Sequence, residues 1–394
     1  MRNQILIAGG GIGGLSAALA CAKAGWTVQL FERAREFREV GAGIQMGPNV
    51  VRVLNAWGLE KAVGQVAAFP ADLRVRSAAS GDEIGKLALG GRARERYGAP
   101  YATIHRADLQ RLLLLAAQQH DAVQLQLGQR LERFVQTDSF VRAHTLEGAE
   151  VQGQALVGAD GIWSAVRQQL LNDGPPRVTG HLAYRAMVPQ HELPEKLRSQ
   201  HVTVWLGPDL HVVQYPVRNG NWLNVVGIIL GHLDEDADEW DQQTNAHDLR
   251  CAMSGTCSAL QELIEAIAHW RVWSLCDRTP MRSPVEHAQG RVALLGDAAH
   301  PMRPYLAQGA GMAIEDAACL QSVLTPANGP MAQRLKTYGA LRWQRNARVQ
   351  ARSIRNGQIF HSTGWVRWGR DASIGLLGEK LLDVPWLYRG ALGY

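Results

Sequence analysis

Three glycines near the head of the chain, Gly9, Gly11 and Gly14, stand in the order G-x-G-x-x-G. That spacing suits a bound pyrophosphate. The first glycine permits a tight turn, the second lets backbone approach the phosphates, and the third lets a helix pack closely on a strand. Gly13 lies in the same turn, and free N–H groups at the following helix start would face phosphate. Glu32 comes 18 residues after Gly14 and is followed by Arg33. A carboxylate at that distance can accept hydrogen bonds from ribose hydroxyls. Gly309 and Gly311 form a second glycine pair that frees backbone to approach a planar ring. His211 and Tyr215 stand four residues apart in an apolar run.

The elements that must position these residues follow from periodicity. Residues 4–8 read as a buried strand. Leu15, Ala18, Leu19 and Ala22 then form a helical stripe, Gly25 is a helix stop, and 27–31 is a second strand. This is a βαβ unit. Residues 101–104 read as a strand entering a helix with Leu109, Leu112, Leu113 and Ala116 on one face. Residues 154–158 and 291–296 read as further strands, ending at Asp160 and Asp297, and a helix is expected through 312–324. Between these pieces, 202–206, 210–217 and 222–229 look like antiparallel strands, with Asn219-Gly220 as a hairpin turn. Alternation puts His211, Val213, Tyr215 and Val217 on one face, with the two polar groups about 13 Å apart along the strand.

The expected fold class is α/β. A Rossmann-like dinucleotide domain (1–72, 101–175 and 283–345) carries an inserted antiparallel-sheet substrate domain (73–100 and 176–282). A C-terminal helical tail occupies 346–394. Asp160 and Asp297 are each placed to cap a following helix as well as to bind.

Composition narrows the class. The chain has 394 residues, enough for two interlocked domains, and its 46% hydrophobic and 20% charged residues are ordinary for a globular protein. Its net charge is +5. Lys and Arg are interleaved with acids, and Arg92-Ala93-Arg94-Glu95-Arg96 is the densest cluster. It reads as a solvated face or as a mild attraction for small acids, not as a nucleic-acid site. Five cysteines without a CxxC disfavour a disulfide framework or a metal site. With no leader and no spanning segment in view, a cytoplasmic location is expected.

The glycine turn alone does not separate FAD from NAD. The ordered set of Gly9–Gly14, His105-Arg106-x-x-Leu109, Gly158-Ala159-Asp160-Gly161 and Gly296-Asp297-Ala298-Ala299-His300-Pro301 resembles the class A flavoprotein monooxygenases, the aromatic hydroxylases of the p-hydroxybenzoate hydroxylase type. The resemblance spans about residues 3–345. It implies FAD as cofactor, with NADH or NADPH visiting transiently, since no second G-x-G-x-x-G is present. It implies that Asp297 lies by the pyrophosphate and ribityl chain, that Arg106 contacts the pyrophosphate, and that Asp160 serves both nucleotides. The loop Pro301–Met312, including Pro304, Gly309, Ala310, Gly311 and Met312, would hold the isoalloxazine, with Pro304 near its reacting face. The segment Val40–Pro48, including Gly43, Ile44 and Gln45, resembles the family's flavin-contacting loop.

His211-x-x-x-Tyr215-Pro216 resembles hydroxybenzoate 6-hydroxylases and 6-hydroxynicotinate 3-monooxygenases. A histidine that titrates near neutral pH can take a phenol proton, and Tyr215 can hold the ring or its oxygen. Pro304 is read as catalytic with these two. Gln308, Tyr305 and Arg185 are candidates to hold a substrate carboxylate, unranked. Glu39–Gln45, Gln214–Arg218 and Asp277-Arg278-x-Pro280 most resemble 3-hydroxybenzoate 6-hydroxylases, which make gentisate. That type can carry Gln where this chain has Pro304, a proline shared with salicylate and hydroxynicotinate hydroxylases. Gln45 replaces a His of the hydroxynicotinate type. The expected partners are a small aromatic acid and O2, and a homodimer is common in the family. Salicylate 1-hydroxylation, 6-hydroxynicotinate 3-hydroxylation and a non-hydroxylating FAD protein of the same fold are the other readings.

Overall fold

A computed structural model describes residues 3–37, 42–232, 242–244, 246–325 and 329–390. Val40 and Gly41 of the expected flavin-contacting loop lie outside the described residues.

The βαβ unit sits at the centre of a six-stranded sheet. Gln4–Ala8 pairs in parallel with Thr27–Glu32 on one side and with Ala155–Gly158 on the other. Val123–Leu127 and Val292–Leu294 extend it in parallel at either side. The carboxyl ends of these strands therefore open together, above the glycine turn, as parallel α/β sheets require of a ligand site. The helix Ile12–Lys23 is buried over most of its surface rather than along one stripe. It is held between the sheet and the helices Arg106–Gln118 and Gly309–Leu324. Small residues on every face (Gly14, Ala17, Ala18, Ala20) allow that enclosure.

The second sheet has eight strands. Leu210–Val217 and Trp222–Leu230 form the expected hairpin, with Arg218, Asn219 and Gly220 all at positive φ. Arg177–Pro189 lies beyond the second of these strands and Trp270–Asp277 beyond that. Asp72–Ser77 and Glu83–Ala88 complete the other edge.

The long helix Met331–Phe360 runs without a break through position 345. Its buried Arg342 donates to Asp316 at 2.6 Å and to Glu315 at 3.1 Å, both on the helix Gly309–Leu324. Arg345 forks onto Glu315, and Asn346 donates to Asp316 at 2.8 Å. Asp316 also accepts the Gly296 N–H at 3.1 Å and faces His300 Nε2 at 2.5 Å. Burial works against both carboxylates, yet the charges of His300 and Arg342 hold Asp316 well below the ordinary carboxylate value. Arg342→Met should leave these carboxylates buried without their main counter-charge. It should cost about 3–5 kcal/mol of stability, read as a lower urea midpoint of the FAD-free chain.

Candidate active site

A cavity of about 440 Å³ lies between the carboxyl ends of the parallel strands and the inner face of the second sheet. Its floor is the glycine turn. Gly11 and Gly13 line it, and a Cβ built on Gly11 would meet no atom within 4 Å. Gly9 and Gly14 lie behind it. A Cβ on Gly14 would sit 1.8 Å from the Gly9 carbonyl oxygen, and one on Gly9 2.4 Å from that of Ala159. The turn thus needs two glycines for packing and leaves a third open to the cavity. Glu32 accepts the Gly10 N–H at 2.6 Å and the Ala34 N–H at 2.8 Å, so it ties the turn to the second strand. Arg33 is exposed and does not line the cavity.

Arg106 is the first residue of its helix and reaches the cavity, as does Asp297 in the turn Gly296–Ala298. Burial lowers Arg106 from its ordinary value and raises Asp297, and the attraction between the two opposes both shifts. Asp160 is placed otherwise. Its carboxylate takes the Ser164 hydroxyl and the N–H groups of Ala165 and Val166, capping the helix Ala165–Leu171, while Ala159 and Gly161 line the cavity. Arg167 in that helix donates to the carbonyls of Ala298 and Ala299 at 3.0 and 2.6 Å. The two aspartate motifs are thereby joined.

The helix expected through 312–324 begins earlier, at Gly309. Its first turn, not a loop, brings Gly309 and Ala310 to the cavity with its N–H groups leading. Met312 does not line the cavity. It is fully buried against Val349 and Leu387, one turn into the helix and facing the Met331–Phe360 helix. Gly311 is likewise a packing residue, closed in by Val50 and Gln308. Pro304 and Gln308 do line the cavity. The long helix holds this loop by its backbone. Gln350 donates to the carbonyl of Pro301 at 3.0 Å, Ser353 to that of Arg303 at 2.6 Å, and Asn356 to that of Tyr305 at 3.2 Å. Arg303 forks onto Asp277 of the second sheet.

The roof is the second sheet. Cross-strand pairing sets Ile228 opposite His211, Val226 opposite Val213 and Asn224 opposite Tyr215. His211, Val213, Tyr215, Val226 and Ile228 all line the cavity; Val217 packs elsewhere, against Tyr101 and Leu87. Asn224 instead accepts the Gly43 N–H at 2.7 Å, and the Tyr215 ring lies where a Gly43 side chain would be. Gly43, Ile44 and Gln45 form the near wall, with Gln45 accepting from the Tyr101 hydroxyl at 2.7 Å. Arg185 pairs across from Val226, two strands away from Val213. Its guanidinium stacks 3.1 Å over the Trp273 ring, and both line the cavity. Tyr305 does not line it. Its ring packs behind His211 at 5.1 Å between centroids and against Gly357, which removes its hydroxyl from a substrate.

Three contributors were not foreseen. Trp273 and Tyr101 gave only a hydrophobic signal. His361 bonds His211 Nδ1 through its Nε2 at 2.7 Å, from a position 150 residues away and just past the end of the long helix. Alternation in Trp222–Leu230 could have named Val226 and Ile228 once the hairpin was set.

The wide-open glycine turn, the cation–carboxylate pair and the helix N-terminus together fit a dinucleotide carrying a planar ring. An FAD binding domain family model matches residues 2–353. The chain belongs to the FAD-dependent aromatic monooxygenases. It is 38% identical to a 3-hydroxybenzoate 6-hydroxylase of Polaromonas naphthalenivorans, covering 99% of this chain and 96% of that one. It is 39% identical to 3-hydroxybenzoate 6-hydroxylase 1 of Aquipseudomonas alcaligenes, covering 98% of each. A salicylate hydroxylase substrate complex superposes with a TM-score of 0.83 at 25% identity, over 98% of this chain and 95% of the other. FAD is the cofactor of this family. No helix among the described residues is long and apolar enough to cross a membrane.

The two kinds of glycine separate in a test. Gly14→Ala should lower the melting temperature of the FAD-free chain, because its Cβ overlaps backbone. Gly11→Ala should leave that temperature within a degree or two yet weaken FAD retention, read from the ratio of flavin to protein absorbance. A stable, FAD-replete Gly14→Ala would contradict the packing assignment.

Proposed function

We propose that this chain hydroxylates the ring of a hydroxybenzoate-type aromatic acid, converting 3-hydroxybenzoate to gentisate with O2 and a transient NADH or NADPH. The observation that carries this reading is the placement of Arg185 in the row between His211 and Tyr215 on one otherwise apolar roof. A carboxylate held by Arg185 leaves a ring hydroxyl within the span of His211 and Tyr215. A guanidinium pairs with a carboxylate by two parallel N–H donors, which fixes the plane of the ring as well as its position. The stacked Trp273 limits the directions Arg185 can take.

When bound and reduced, FAD activates O2 and supplies an electrophilic oxygen. The chain's own residues prepare the ring for it. Burial, together with the neighbouring His361 and His181, pushes His211 well below the ordinary histidine value. His211 is therefore neutral at physiological pH and is available as a base. Removal of the 3-hydroxyl proton raises electron density at the ortho and para carbons, and the para carbon of 3-hydroxybenzoate is C6. Asp277, Arg303 and the long helix hold the loop that carries Pro304 at the cavity. The mean lining is apolar, which excludes water and strengthens each of these polar contacts. Burial also raises Tyr215 above its ordinary value, so it stays a neutral hydrogen-bonding group. The reading places the enzyme in the cytoplasm, where the nicotinamide is regenerated.

The FAD-loaded chain given 3-hydroxybenzoate and NADH or NADPH should yield gentisate in step with nicotinamide oxidation. Catechol and CO2 from salicylate, with 3-hydroxybenzoate untouched, would defeat the assignment. Arg185→Met should raise KM for the acid by roughly 10–100-fold, the scale of one charged hydrogen-bonded contact, with FAD content unchanged. His211→Ala should lower kcat by about 10²-fold or more while FAD stays bound. Because the His211 base is neutral above a lowered titration point, the rate in the parent should hold as pH falls through 6.5 and decline only well below it. A decline centred at 6.5 or above would remove His211 as the base.

A further inference from the structure

The mechanism uses one histidine, but the structure places three together. His211 touches the cavity. His361 lies behind it, with ring centroids 5.0 Å apart and the Nδ1 to Nε2 distance of 2.7 Å. His181 follows, its ring 5.0 Å from that of His361. Exposure rises along the row: His211 is 1% exposed, His361 8%, and His181 is half-buried. A proton received by His211 from the cavity side cannot leave into water directly. A buried imidazolium is costly, and among the described residues the ring nitrogen bonded to Nδ1 of His211 is that of His361.

We propose that His361 acts through His211 as a positioning and proton-accepting residue, leading the substrate's phenolic proton away from the cavity toward His181 and solvent. The proposal rests on the hydroxylase reading of the site. The phenol O–H breaks and its proton goes to Nε2 of His211. The proton on Nδ1 of His211 passes to Nε2 of His361. The phenolate is left in the cavity and the imidazolium lies one ring further out, with no change of redox state. For this to run, His361 Nε2 must begin as the acceptor. That sets the His211 tautomer with Nδ1 protonated and Nε2 bare toward the cavity. His361 then carries its proton on Nδ1, which has no hydrogen-bond partner among the described residues.

The row leads outward, from the closed-in ring of His211 to the half-buried ring of His181. Burial, His181 and Arg370 bring His361 down to about 4, and burial also holds His211 well below its ordinary value. His181 is lowered by burial and by Arg303, but the carbonyl of Thr179, 3.1 Å from its Nδ1, works the other way. Tyr305, packed against all three rings, is held above its ordinary value by burial and contributes no charge. The groups facing His361 are thus one cation, Arg370, two imidazoles and a neutral phenol. No carboxylate pairs with His361 among the described residues, so no counter-ion holds a proton there.

The experiment compares the FAD-loaded parent with His361→Asn and His361→Phe, using 3-hydroxybenzoate as the probe. Asn offers His211 an acceptor oxygen but takes no proton; Phe offers neither. Nitrogen-15 NMR of histidine-labelled protein should show His211 protonated on Nδ1 in the parent and in the Asn variant, and a tautomer mixture in the Phe variant. A coupling across the His211–His361 hydrogen bond should be present in the parent alone. Turnover should fall about tenfold or more in both variants with KM changed less than threefold. A kcat equal to the parent's in His361→Asn overturns the relay. A His211 tautomer unchanged in His361→Phe, or no coupling in the parent, overturns the pairing, even if a variant folds poorly. A parent that does not hydroxylate 3-hydroxybenzoate defeats the substrate reading instead, and the NMR comparison still decides the pairing.

Discussion

The buried charge cluster around Arg342 is the constraint on which the site depends. Glu315 and Asp316 are adjacent on the helix whose first turn lines the cavity, and both are buried. Two like charges there are tolerable only because Arg342, Arg345, Asn346, Asn49 and His300 all turn toward them. The same contacts carry position. Asp316 accepts the N–H of Gly296, which locates Asp297 at the cavity, and Arg342 locks the long helix to the helix Gly309–Leu324. A buried ion cluster is a poor source of net stability, but it is strict about geometry. Here that strictness fixes the Gly296–Ala298 turn against the first turn of the helix Gly309–Leu324.

From that anchor the two sheets are brought face to face by few connections. Arg303 reaches Asp277, Asn224 reaches the Gly43 backbone, and Arg218 in the hairpin turn reaches Asp108 beside the glycine-turn helix. The C-terminal segment closes the other side. Arg345 donates to the carbonyls of Trp386 and Leu387, and Arg52 to those of Tyr388 and Arg389. The dense basic run Arg92–Arg96 meets the same segment through Glu379 and Asp383. It is a docking face for the chain's own tail. The roof itself is ordered by row: a histidine at one end, an aromatic hydroxyl at the other and a cation between them, on a wall of valine and isoleucine. Such a wall discriminates by shape, and its few polar groups discriminate by the penalty for leaving them unmatched.

Much of this arrangement was legible in the order of residues. The glycine turn, the strand ends at Asp160 and Asp297, the Asn219-Gly220 hairpin and the shared face of His211 and Tyr215 are all local patterns. Hydrogen bonding and side-chain alternation impose them within a few residues, so periodicity reports them. Met312, Gly311 and Tyr305 stand beside cavity-lining residues in sequence yet pack away from the cavity. A helix turns each residue by about 100°, so Met312 faces the long helix while Gly309 and Ala310 face the cavity. Asp160 divides its motif in the same way, with its side chain capping a helix while its neighbours face the cavity.

The sequence by itself determined the fold class, the nucleotide turn and which strand face bears the polar pair, because each depends on contacts close along the chain. Only the tertiary structure decided that Arg185 shares a row with Val213 and Val226, since its strand comes before theirs in sequence and joins from the far side. Only it decided that the long helix splints the flavin loop through Gln350, Ser353 and Asn356, and that His361 stands behind His211. Those contacts join residues dozens to 150 positions apart. No local propensity encodes them; they exist because the buried carboxylates of one helix require the arginines of another, and that demand brings the rest of the chain into place.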